Sequence, residues 1–287
     1  MQSKRSIPLV MFALALLLAP IAMRGQVSFT SIDYPSANLT VAVGVNSQGE
    51  IVGWYRDIAG KFHGFLLDRG GFVSIDYPLA TRTDAWAINP AGDIVGSYND
   101  STGKQHGYLL QRGLFTTIDV PGATFTAAFG ISPEADIVGH YGVPPTGKMN
   151  GFLLRNGKFT TYDHPNPNLM TCGGGISPGG QIVGHYQDGT GTHGFLLNEG
   201  VFTTIDIPGG KNTQAYGINP EDEIVGFYTE IATNKIYGFL LDKWDVVTQI
   251  DVPGAMNTWV RRNNPRGDLV GSYVDTFGKT HGFLIRH

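Results

Sequence analysis

The chain has a single cysteine, Cys172, among 287 residues, so no intrachain disulfide can form and stability must come from packing. Charge is also scarce. Asp, Glu, Lys and Arg make up 15% of the chain, against about 25% in an ordinary soluble domain. Basic residues are not in excess: 20 Lys and Arg face 24 Asp and Glu, for a formal charge of −4. That balance argues against a nucleic-acid partner, which calls for a basic footprint. Only one long apolar run is present, from Ile7 to Ala22. It falls short of the roughly 20 residues a membrane-spanning helix needs. Disorder is excluded from the other side, because 41% of residues are hydrophobic and 11% aromatic. What the chain has in quantity is glycine, with 40 copies. High Gly with low charge and many Ile, Val, Phe and Thr excludes a helical bundle or coiled coil.

The apolar run explains the first segment. Lys4 and Arg5 precede it, and Ala22 or Gly25 offers a small residue for cleavage, so residues 1–25 read as a secretory signal peptide. Removing them takes away Lys4, Arg5 and Arg24 and no acid, which moves the formal charge from −4 to −7. The expectation is a secreted or periplasmic protein, monomeric, with no membrane span in its mature form.

Residues 26–287 carry one motif six times. "IVG" places Gly at 53, 96, 139, 184 and 226, and "LVG" places Gly271. The spacings run from 42 to 45 residues. A Tyr stands two residues after each, from Tyr55 to Tyr273. "GFLL" or a near variant follows, and then "FTTIDVP" or a near variant. Each copy therefore holds four short β-branched or aromatic runs separated by turn signals. In the copy beginning at Ala85 these are Ala85–Asn89, Asp93–Tyr98, His106–Leu110 and Phe115–Asp119. Arg112-Gly113 reads as a two-residue hairpin turn between the last two, echoed by Arg69-Gly70, Asn156-Gly157 and Glu199-Gly200.

Four antiparallel strands every 42–45 residues predict an all-β, six-bladed β-propeller. The chain ends just after a third strand, "HGFLIRH", and its mature part begins with a fourth, "VSFTSIDYP". Pairing the two would close the last blade and remove both edges. A single domain over 26–287 follows. The run "DIVGSYNDSTGKQHGYLLQRGLFTTIDVPGA" resembles the HAF repeat, an extracellular repeat named for His-Ala-Phe. The resemblance spans essentially residues 27–287, with Gly in place of Ala, as in His63-Gly64-Phe65. It implies export and a propeller-like fold, and it lends no catalytic residues.

Residues that look chemical fall into two sets. The hairpin register puts His63 opposite Asp76, His106 opposite Asp119, His193 opposite Asp206 and His281 opposite Asp33. A pair repeated in most blades reads as a structural cross-strand hydrogen bond, since active sites are usually built once. Asn150 and Tyr237 replace the His and are expected to keep a donor towards Asp163 and Asp251. The second set breaks the repeat. His140 and His185 occupy equivalent places in adjacent blades, with His164 and Cys172 expected on the segment crossing between them. No tight ligand spacing accompanies them, so no metal and no cofactor are expected. In the sixth copy Arg261 and Arg262 replace the Tyr216-Gly217 of the fifth, with Trp259 nearby. Guanidinium groups suit carboxylates and phosphates, and an indole face suits sugars or cations. Trp259, Arg261, Arg262, His140 and His185 are therefore the candidate ligand-binding residues. Trp86 and Phe129 align with Arg261 and are expected to pack between blades.

The function expected is an exported binding or scaffold module for a glycan, peptide or surface component. The alternative is a propeller enzyme, such as a glycan lyase or hydrolase, working at the central channel. A glycosidase needs two converging carboxylates, and no such pair is visible.

Overall fold

The structure is a computed structural model that describes residues 28–146, 148–166 and 169–286. The expected signal peptide lies outside the described residues. Among the described residues no helix is long and apolar enough to cross a membrane, and all regular structure is β.

There are 24 strands among the described residues. β1 (Ser28–Ile32) comes first. It is followed by β2 (Leu39–Val45), β3 (Ile51–Arg56), β4 (Phe62–Asp68) and β5 (Gly71–Ile75). The second group is β6 (Arg82–Ile88), β7 (Ile94–Asn99), β8 (Gln105–Gln111) and β9 (Leu114–Ile118). The third is β10 (Thr126–Ile131), β11 (Ile137–Val143), β12 (Lys148–Arg155) and β13 (Lys158–Tyr162). The fourth is β14 (Met170–Ile176), β15 (Ile182–Gln187), β16 (Thr192–Asn198) and β17 (Val201–Ile205). The fifth is β18 (Gly210–Ile218), β19 (Ile224–Glu230), β20 (Ile236–Leu241) and β21 (Val247–Ile250). The last is β22 (Asn257–Asn263), β23 (Leu269–Val274) and β24 (Thr280–Arg286). Each group pairs antiparallel in chain order, and the first two are bridged by one parallel pairing, Phe62 with Arg82. β1 pairs antiparallel with β24, from Ser28–Arg286 to Ile32–Gly282.

Local chemistry accounts for the strand ends. Arg69 and Gly70 both have positive φ, 47° and 82°, as a two-residue hairpin of matching twist requires. Arg112-Gly113, Asn156-Gly157 and Glu199-Gly200 repeat it. The Gly of "IVG" has a different reason. A Cβ at Gly96 would land on the Asp84 carbonyl and on the Tyr108 ring. That ring is fully buried, as are its equivalents Phe65, Phe152, Phe195, Phe239 and Phe283. Each contributes roughly 1.5–3 kcal/mol by leaving water. Gly53 and its relatives thus serve a close approach within one sheet. Gly64 serves a close approach between sheets, since a Cβ there would meet the Ala85 nitrogen at 3.3 Å.

Strand alternation then places the core between neighbouring sheets. Phe65 and Leu67 pack with Ile32, Val270 and Leu284 of the last group. Leu66 points the other way and packs with Ile94 and Tyr108 of the second. The first strands β2, β6, β10, β14, β18 and β22 touch in succession, and β22 also touches β2. Each of the six carries a bulge. The extra residues are Val43, Trp86, Phe129, Gly174, Tyr216 and Arg261, six different residue types at one repeated place.

Candidate ligand-binding site

The repeated His–Asp pairs have a fuller geometry than hairpin register alone implies. His63 Nδ1 lies 2.6 Å from Asp76, and its Nε2 lies 3.3 Å from Asp57. His106 sits between Asp119 at 2.9 Å and Asp100 at 3.3 Å. His193 sits between Asp206 at 2.8 Å and Asp188 at 3.2 Å. His281 sits between Asp33 at 2.7 Å and Asp275 at 3.3 Å. Each ring also stacks on the repeated Tyr, with centroids 5.0–5.1 Å apart. Both nitrogens are occupied in all four, which leaves no free atom for proton transfer to a ligand. In the two remaining copies the expected donors are replaced. Lys148 Nζ, not Asn150, reaches Asp163 at 2.7 Å, and Lys235 Nζ, not Tyr237, reaches Asp251 at 2.7 Å. A long side chain two places upstream substitutes for the missing imidazole.

The turn carboxylates are held in the charged form. Hydrogen bonds from Thr102, first among them its hydroxyl, bring Asp100 down to about 2. Thr190 does the same for Asp188, also to about 2. Asp57 and Asp275 are lowered chiefly by the backbone amides of Lys61 and Lys279. A carboxylate lowered on folding adds stability above its ordinary value of 3.8. That stability is lost as pH falls through about 2. Urea melts between pH 4.5 and pH 2 (roughly the window set by these values) are expected to show stability falling with acid. Asp100→Asn should flatten that slope, and an unaltered slope contradicts the assignment.

The residues that break the repeat gather at the bulges of the first strands. A bulge re-aims its extra side chain. Trp86 meets Phe129 of the next sheet with centroids 4.6 Å apart, and its Nε1 donates to Ser97 Oγ at 3.1 Å. Phe129 stacks on His140 at 4.8 Å. His185 lies 6.0 Å from Tyr216, which in turn stacks on Phe227 at 5.6 Å. The Arg261 guanidinium lies 4.5 Å from the Tyr216 ring centre and 4.9 Å from that of Phe227. An arc of rings and cations thus runs across five consecutive sheets. Trp86 and Phe129 do pack between sheets, and they do so as half-buried members of this arc.

Several polar atoms in the arc are buried without a hydrogen bond. They include His140 Nδ1, His185 Nδ1 and Arg261 Nε. Burial drops His140 to about 4. Burial, with help from His140 and Arg261, drops His185 to about 3. Both imidazoles are therefore neutral at ordinary pH. Arg261 has no carboxylate partner among the described residues. Asp84, two residues before Trp86, is buried with Oδ1 unpaired. Desolvation raises its carboxyl despite Arg82 at 2.6 Å.

The Arg262 guanidinium, expected to face a ligand, is turned towards protein carbonyls. It donates to the carbonyls of Phe129, Gly174 (2.9 Å) and Tyr216. All three belong to bulged residues, on β10, β14 and β18. The other copies have Gly or Ala at this place, so only the sixth can send a side chain across. Burial lowers Arg262 to about 10, which keeps it charged. A Cβ at Gly175 would collide with this guanidinium. Trp259 pairs across its sheet with Ser272. No ring or cation contact joins it to Arg261 among the described residues. Cys172 lies on β14 opposite His185, not on the crossing segment. Its thiol is buried, pushed up to about 12, and contacts Met149 Sδ at 3.8 Å. His164 does lie on the crossing segment and packs on Tyr186 at 4.3 Å. Among the described residues no three His, Cys, Asp or Glu side chains converge as a metal site.

Tyr216 and Asp84 escaped the sequence reading, while Phe227 shares with His140 and His185 the column just before the repeated Tyr. For Tyr216 the available signal was the column just before the small residue of the first strand, which is different in every repeat.

No family model and no curated protein matches the chain. Among solved structures it is similar to TolB from Acinetobacter baumannii, at 13% identity and a TM-score of 0.59. That match covers 88% of this chain and 65% of TolB, so the chain spans about two thirds of that protein's length. It is similar to a mutant Aleuria aurantia lectin in complex with alpha-methyl-L-fucoside, at 12% identity and a TM-score of 0.53. That match covers 89% of this chain and 93% of the lectin. A gluconolactonase from Xanthomonas campestris matches at 10% identity and a TM-score of 0.54, covering 89% and 94%. At such identities the likeness is one of fold, and the fold is propeller-like.

Proposed function

We propose that the chain is an exported, closed six-bladed propeller that works as a carbohydrate-binding module, with its ligand at the axial bulges. The observation that carries this reading is the asymmetric arc from Trp86 to Arg261. A purely structural propeller would repeat its core at this place, as it repeats the His–Asp pairs at the rim. Here the repeat is abandoned, and aromatic faces stand beside polar atoms without partners. Aromatic faces receive the apolar faces of sugars, and a few convergent polar groups set orientation. The lectin among the similar structures supports a binding role for this architecture. Closure draws support from the β1–β24 pairing and from the β2–β22 contact. Export draws support from the N-terminal run and from the resemblance to HAF repeats.

A thermal-shift screen of the purified protein against a glycan panel tests the reading. At least one glycan should raise the midpoint, and Trp86→Ala should remove that rise. A panel without any shift would overturn it. Asp84 favours a second reading, a glycan-cleaving enzyme at the same end, because its raised carboxyl could donate a proton. Product formation from the bound glycan, lost in Asp84→Asn, would favour that reading.

A further inference from the structure

We infer that the axial site takes a uronic-acid residue, its carboxylate received by Arg261 and its ring laid on Trp86 and Phe129. This rests on the carbohydrate-binding reading above and narrows it to acidic glycans.

The inference starts from Arg261. Its guanidinium lies beside the stacked Tyr216–Phe227 pair, 4.5 and 4.9 Å from the two ring centres. An aromatic pair supplies no acceptor in the plane of the fork, where the N–H groups point, so a partner is still needed there. The protein supplies none there: Nε is buried and unpaired. A stem-buried cation without a counter-ion is costly. A planar carboxylate is the group that satisfies the fork with two parallel hydrogen bonds.

The neighbours of Arg261 exclude a simple anion site. His185 lies near it and His140 next along the arc, both neutral, so they add no positive charge. A phosphate or sulfate would gain from further cations, and Arg262, the adjacent one, is already committed to three carbonyls. Neutral imidazoles suit hydroxyl groups, because each offers one donor and one acceptor. Neither ring has a protein hydrogen bond to Nε2 among the described residues, which leaves that atom for a ligand hydroxyl. Beyond them stand Trp86 and Phe129, half-buried and 4.6 Å apart. One cation, two neutral hydroxyl partners and an aromatic platform, in that order along the arc, match one carboxylate, several hydroxyls and an apolar sugar face. A uronic acid presents these three features on one ring.

Calorimetry with two probes tests this: a galacturonate trisaccharide, and the same trisaccharide with its carboxylates reduced to alcohols. The full-length protein should bind the acid form at least about tenfold more tightly, the effect of a charge-assisted hydrogen bond. Arg261→Gln should erase the preference while leaving the melting temperature within a few degrees. If that variant fails to fold, the wild-type histidine side-chain NMR signals serve instead. Those of His140 and His185 should move on adding the acid form and stay still with the reduced form. Equal binding of both forms would overturn the uronate assignment and leave the carbohydrate reading standing. Binding of some other glycan, with neither probe bound, would have the same meaning. No binding by either probe or by any panel glycan would overturn both.

Discussion

Arg262→Ala is expected to lower the thermal midpoint by roughly 10 °C or more, the largest effect of any single substitution considered. The side chain comes from β22 and holds carbonyls of β10, β14 and β18. Removing it leaves three main-chain acceptors without a donor. Each such loss costs about 1–3 kcal/mol, so the sum is on the order of 5 kcal/mol. A domain of this size shifts by about 2–4 °C per kcal/mol. Arg262→Lys should recover part of the loss, since an ammonium keeps the charge but cannot span three acceptors as a planar fork does. Differential scanning calorimetry of the three proteins decides it. A midpoint unchanged in Arg262→Ala would mean that the carbonyls find other partners.

Deleting the segment through Tyr34 should be as damaging, by a different route. β1 covers the edge of β24 over five paired residues. Ile32 is 4% exposed in the core shared by the first and last groups. Phe29 packs on Phe283 at 6.1 Å. Asp33 holds His281, and Tyr34 stacks on Tyr55 at 3.6 Å. The truncated chain loses these contacts and exposes β24 as an unpaired edge, which invites association between chains. The expected outcome is a protein that melts far lower or precipitates. Light scattering and thermal melts measure both. A soluble truncated monomer of unchanged stability would contradict a stabilising role for the β1–β24 pairing.

Much of this architecture was legible in the order of residues. Glycine, "IVG", the hairpin dipeptides and the "GFLL" runs are local signals, read correctly because each reports a dihedral angle or an alternation within a few residues. Arg69-Gly70 needed only its own positive φ values to be a turn. The His–Asp register followed from that turn by counting. The second carboxylate on each His was missed, because Asp57 approaches through a loop whose path a two-strand register does not describe. The Lys148 and Lys235 substitutions were missed because each lysine stands two places before the residue that the hairpin register sets opposite the Asp.

The candidate site was legible only as a disturbance. Repeat alignment marked Arg261, Arg262, His140 and His185 as exceptions, but it could not separate their roles. Two neighbouring arginines look alike in sequence. On β22 the bulge turns them apart, so that Arg261 meets aromatic rings and Arg262 meets carbonyls. That division depends on strands up to 133 residues away in the chain. The sequence by itself thus determined the repeated four-stranded unit, because strand and turn preferences are short-range. Only the tertiary structure decided which irregular side chains meet, because that depends on how the first strands of separate repeats pack against one another.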